Sequence, residues 1–152
     1  MECCALLIMR RAFLAFMLWG VWAQTLGGSQ SVVLVVGRDS SVVDLDPITV
    51  RKLFLGLPVL INGHPLHPVR NRSDQRLDPI FLQQIVAMSQ SAYDRQILIG
   101  VNRQGWLRPV EITTRARVLE TLNSDPNAVT FMWLRDVEHD PKIRVVRVLW
   151  TD

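Results

Sequence analysis

The clearest chemistry in this chain lies between Arg70 and Asp78. Arg70, Arg72, Ser73 and Arg76 come just before Asp78-Pro79, which reads as the start of a helix. The positive end of a helix, with its free N–H groups, favours negative charge. An arginine fork adds charge-assisted hydrogen bonds that suit an oxyanion. Aspartate in such a loop is compatible with phosphate, because a carboxylate accepts a hydrogen bond from a protonated oxyanion. The same residues support a plainer reading. Asp74 and Asp78 cap the helix, and the arginines pair with them on a solvated surface, where exposed ion pairs contribute ~0–1 kcal/mol. The spacing leaves both readings open.

Other chemistry-bearing residues are sparser. His64 and His67 stand three positions apart, an odd offset, so a strand places them on opposite faces, and no further His or Cys follows at ligand spacing. His139 sits in the polar turn Glu138-His139-Asp140. No metal site is expected. Ser91-Ala92-Tyr93-Asp94 and the scattered aspartates pair no nucleophile with a base, so the chain is read as a non-enzyme without a cofactor. Trp133 and Trp150 fall in strand patterns and are expected in the core. Trp106 follows Gly105 in a mixed loop over 102–109 and is the candidate for a partner contact, since aromatic residues dominate interface hot spots.

These residues need elements to hold them. Ser31-Val32-Val33-Leu34-Val35-Val36 is an apolar, β-branched run ending at Gly37 and predicts a strand buried on both faces. Asp46-Pro47 predicts a helix start, with Val50, Leu53 and Phe54 on its apolar side and Gly56 ending it in the left-handed region. Asn62-Gly63 between Val59-Leu60-Ile61 and Leu66 predicts a hairpin. A second helix opens at Asp78-Pro79 with Ile80, Phe81, Ile85 and Val86 inward. A third is expected from a capping box of Ser91 with Asp94. A fourth covers 114–123, and strands cover 128–134 and 143–150. Helical patterns alternate with strands, so the class is α/β.

The amino terminus points to a compartment. Arg10-Arg11 precede an apolar run from Ala12 to Ala23, and Val21-Trp22-Ala23 offers small residues at a cleavage point. Residues 1–23 are read as a secretory signal peptide, 24–30 as a flexible lead and 31–152 as one domain. Both cysteines, Cys3 and Cys4, lie in the signal segment, so the mature chain has no disulfide or thiolate site. The formal charge of +3 at pH 7 is mild, and the arginines form no run interleaved with aromatics. Nucleic acid is therefore not an expected partner. The mature chain is expected in the periplasm and not embedded in a membrane.

The order of these motifs resembles a known family. A strand leads to a Leu45-Asp46-Pro47 helix start, then Val50-Arg51-Lys52-Leu53-Phe54-Leu55-Gly56, an Asn62-Gly63 turn, Leu66 and Pro68-Val69-Arg70. Phe81 follows in a helix, and Asp125-Pro126-Asn127-Ala128-Val129 leads into an aromatic strand. This resembles the phosphate-binding component of ABC transporters, a type 2 periplasmic binding protein, and is most similar to short members that keep one of two lobes. The resemblance implies a single lobe with a central mixed sheet flanked by helices. It also implies binding of phosphate or another small oxyanion, with Ser40 and Ser41 after the first strand supplying hydroxyls beside Arg70, Arg72 and Ser73.

The departures bear on function. Family members hold the anion on a loop rich in glycine and serine, because backbone N–H groups must approach the oxygens closely. Here Arg70-Asn71-Arg72-Ser73-Asp74-Gln75-Arg76-Leu77-Asp78 has no glycine and one serine. Thr130-Phe131 stands where the family has Gly-Tyr, and the second lobe is absent. Two functions follow as expectations. One is an exported module that binds an oxyanion; the other is a non-enzymatic adaptor that has lost the ligand site and engages a periplasmic or membrane protein, with Trp106 as the contact.

Overall fold

A computed structural model describes residues 30–152. The expected signal segment and most of the lead lie outside the described residues. β1 (Ser31–Gly37) is buried from Val32 onward, as its unbroken apolar run requires. It is flanked on both sides: β6 (Ala128–Trp133) and β7 (Ile143–Thr151) both pair with it antiparallel. β4 (His67–Asn71) lies beyond β6 and pairs parallel with it and with β5 (Val110–Ile112). The order is β5-β4-β6-β1-β7, a mixed sheet.

Strand alternation sends side chains to two cores. Val32, Leu34, Val36, Val129 and Phe131 pack under α1 (Pro47–Phe54), α2 (Leu77–Ile80), a π-helical turn (Phe81–Ile85) and α3 (Gln90–Gln104). Val33, Val35, Val69 and Met132 pack under α4 (Arg115–Ser124) and α5 (Leu134–Val137). The chain is thus one α/β lobe with a central mixed sheet flanked by helices, as expected. In the first core Phe81 stacks on Phe131 at 5.1 Å between centroids, and Phe54 meets both edge-on.

Local signals set several boundaries. Asp46 caps α1 by accepting from the N–H groups of Ile48 and Thr49, each at 3.0 Å. Asn62 and Gly63 have φ of 52° and 82° and join β2 (Leu60–Ile61) to β3 (His64–Pro65), the two positive φ values of a primed hairpin turn.

Elsewhere the structure corrects the sequence. No Ser91–Asp94 capping box forms. α3 starts earlier, its Ser89 hydroxyl accepting from Ala92 N–H at 3.3 Å, while Asp94 takes the Gln90 side-chain amide at 2.8 Å. The helix runs on to Gln104, so Asn102 and Arg103 are helical and the loop begins at Gly105, whose φ is 65°. Asp78 is not a cap; it lies inside α2, where Pro79 is tolerated because first-turn N–H groups have no helical partner. Leu134 opens α5 instead of ending β6, and β5 is an edge strand with no sequence signal.

β7 carries irregularities between Val32 and Val33 and between Leu34 and Val35 of its partner. Such bulges twist an exposed edge away from further pairing.

Candidate functional site

Because β4, β5 and β6 run parallel, their carboxyl ends meet at one end of the sheet, the usual position for a ligand in an open α/β fold. Arg70 lies near that end of β4 and is fully buried, at 0% exposure. Its guanidinium carbon sits 4.8 Å from the Phe81 ring centroid and 5.0 Å from that of Tyr93. Such contacts favour a cation most when it is desolvated. Its Nη1 donates to Glu111 at 3.2 Å, and its Nη2 to Asp78 at 3.2 Å and to the Gln90 side-chain Oε1 at 2.8 Å. Nε has no partner.

Arg72, with its side chain 41% exposed, closes the same ring of charge from outside. Its Nε donates to Asp78 and its Nη1 to Glu111, both at 3.2 Å. Hydrogen bonding to Glu111 and the nearby Asp78 charge raise the Arg72 pKa above its ordinary value. Two arginines and two carboxylates therefore alternate around one site. Tyr93, lining the buried side, has its hydroxyl pKa pushed up to about 12 by desolvation. It donates to the Phe54 carbonyl at 3.0 Å.

The neighbouring loop is tied down just as fully. Asn71 donates to the Phe131 carbonyl at 3.0 Å, and its Oδ1 accepts from Ser73 N–H at 2.9 Å. Asp74 accepts from Arg76 Nη2 at 2.7 Å and from the Trp133 indole at 3.0 Å. The Arg76 bond is the largest influence that holds the Asp74 carboxyl well below the usual carboxylate range. Arg76 and Arg135 each lie 5.4 Å from the Trp133 ring, which is buried as expected.

Ser40 and Ser41 are not brought to this loop. β1 runs against β4 and β6, and Gly37 pairs with Ile143 at the start of β7, so the two serines follow β1 at the opposite end of the sheet. The Ser40 hydroxyl accepts from Val42 N–H at 3.4 Å, and its carbonyl accepts from Arg144 at 2.7 Å. Of the expected anion residues, Arg70, Arg72 and Ser73 are grouped and the serines are apart.

Trp106 is partly buried against its own domain. An added Cβ at Gly100 would lie 2.1 Å from the Trp106 ring, so α3 needs glycine there to let the indole approach. His67 Nδ1 lies 2.6 Å from Asp125, while His64 is exposed on the hairpin. Among the described residues no group of three His, Cys, Asp or Glu side chains could hold a metal ion. No described helix is long and apolar enough to cross a membrane.

Sequence reasoning missed Glu111 and Gln90, the partners that decide the state of Arg70. Glu111 stands in the unforeseen β5, and Gln90 lies at the helix start that the Ser91 signal misplaced.

No family model and no curated protein matches the chain. Among solved structures it is similar to an ABC-type phosphate transport receptor from Vibrio cholerae, at 14% identity and a TM-score of 0.49. That alignment covers 78% of this chain and 46% of the receptor, so the chain spans less than half of the receptor's length.

Proposed function

We propose that this chain is an exported, non-enzymatic interaction module, a single lobe whose own carboxylates occupy the arginines an oxyanion would need. The observation that carries this reading is the closed pairing of Arg70 and Arg72 with Asp78 and Glu111. A phosphate approaching from solvent meets Arg72 only after displacing two carboxylates, and Arg70 is sealed behind it. The loop also lacks the glycines that let several N–H groups converge on an anion. A single lobe offers one wall, whereas small-ligand sites bury most of the ligand surface. Export rests on the basic and apolar pattern of residues 1–23.

Calorimetry with inorganic phosphate tests the reading against the oxyanion alternative. The wild-type chain is expected to bind no better than millimolar, about −4 kcal/mol, with no change in Arg72→Ala. A micromolar constant that collapses in Arg72→Ala overturns the interaction module and makes the chain a solute binder.

A further inference from the structure

We propose that the surface formed by Arg95 through Arg108 docks on a membrane with anionic lipid headgroups. The proposal rests on the reading of the chain as an interaction module and names its partner.

Three observations meet on this segment. First, its arginines are unlike those of the sheet's carboxyl end. Arg70, Arg72, Arg76 and Arg115 are held by carboxylates, whereas Arg95, Arg103 and Arg108 are exposed and make no ion pair among the described residues. No acidic residue lies between Arg95 and Arg108, and Asp94 just before them is engaged by Gln90.

Second, exposed large apolar side chains accompany them: Leu98 at 59% and Leu107 at 56%, with Ile99 and Val101 less so. α3 turns Tyr93, Ile97 and Gly100 to the core. The helical period then puts Arg95, Leu98, Ile99, Asn102 and Arg103 on the outer side together.

Third, further cations stand near this segment. The Leu107 carbonyl approaches Gly56 so closely that an added Cβ would lie 2.6 Å from it, and Gly56 follows α1, whose last turn carries the exposed Arg51 and Lys52.

Charge and shape choose the occupant. A surface of exposed cations with no ion pair among the described residues, mixed with exposed aliphatics, has the composition of an interfacial membrane contact. Protein hot spots cluster apolar anchors in packed pockets. Here Arg95, Leu98 and Ile99 intermix on a convex helix, which suits a fluid layer whose phosphates adjust to each guanidinium. Shallow contact and several arginines give reversible, salt-sensitive attachment.

The test is vesicle co-sedimentation of the full chain as wild type, Arg95→Glu/Arg103→Glu and Leu98→Ser/Ile99→Ser. All four positions are exposed, and thermal melts check that each variant folds. Equimolar phosphatidylethanolamine–phosphatidylglycerol vesicles are compared with neutral phosphatidylcholine vesicles. The apolar run from Ala12 to Ala23 is common to every arm, so the readout is the anionic preference and its change on mutation. Wild type is expected to prefer anionic vesicles and to lose that preference as salt rises. The charge reversal should cut anionic partitioning by at least about five-fold per arginine, and the serine pair should weaken it without changing the salt dependence. Equal partitioning on both vesicle types, or a charge-reversed protein that binds like wild type, overturns the proposal. Loss of vesicle preference leaves the phosphate calorimetry untouched. Conversely, micromolar phosphate binding that depends on Arg72 overturns the functional reading with vesicle partitioning unchanged.

Discussion

At Arg70 the buried charge belongs to the base, while its partners Asp78 and Glu111 sit at the rim with side chains 25% and 36% exposed. That asymmetry predicts which half of the pair matters more for stability. Replacing a buried ion by an apolar residue of similar volume is often neutral, whereas stranding a buried charge costs about 3–5 kcal/mol. In Arg70→Met the two carboxylates keep Arg72 and reach water, and the new side chain packs between Phe81 and Tyr93. Urea unfolding at neutral pH should show a loss below about 2 kcal/mol. The double variant Asp78→Asn/Glu111→Gln leaves Arg70 charged and enclosed, and should lose about 3–5 kcal/mol. If Arg70→Met proves the more damaging of the two, the cluster is held together by its cation and not by the need to satisfy it.

At the scale of elements, the Asn62-Gly63 hairpin and α3 stand at opposite extremes of local control. Nothing lies within 4 Å of the position a Cβ would take at Gly63, so its requirement for glycine is purely conformational. With φ at 82°, Gly63→Val should cost about 1–2 kcal/mol through the left-handed backbone alone. A thermal melt indistinguishable from wild type would show that the hairpin can reorganise freely. α3 instead depends on what lies around it. Tyr93 and Ile97 reach the core, and Gly100 receives the Trp106 ring. The rest of the helix remains open to solvent, leaving the surface to which we assign a membrane.

For the whole molecule, the sheet settles where things can bind. Its short edge, β5, brings Glu111 to Arg70, and its long edge, β7, is blunted by bulges. The α3 side, away from both edges, carries exposed arginines and aliphatic side chains together. This reading needs the chain to leave the cytoplasm, and the amino-terminal pattern makes a definite expectation. Mass measurement of the protein recovered from a periplasmic fraction should find a chain beginning at Gln24. An uncut chain in the membrane fraction would make residues 12–23 an anchor, in which case α3 would act beside an attachment already made.

The sequence by itself determined the elements whose cause is local. An apolar β-branched run made β1 buried on both faces, Asp46-Pro47 opened α1, and Asn62-Gly63 turned a hairpin, because capping, turn geometry and burial pattern act within a few residues. It also set Arg70, Arg72 and Ser73 side by side at the end of β4 and in the loop after it. It did not reveal what that loop would meet. Arg70 finds Glu111 across 41 residues and Gln90 across 20, and neither pairing has a local signal. Ser40 and Ser41 were drawn toward the arginines by the order of motifs, yet they lie at the other end of the sheet because β1 runs against β4 and β6. Strand direction and neighbour are set by packing over the whole core. Only the tertiary structure could therefore decide that this chain answers Arg70 and Arg72 with its own carboxylates while the arginines of α3 meet no carboxylate among the described residues.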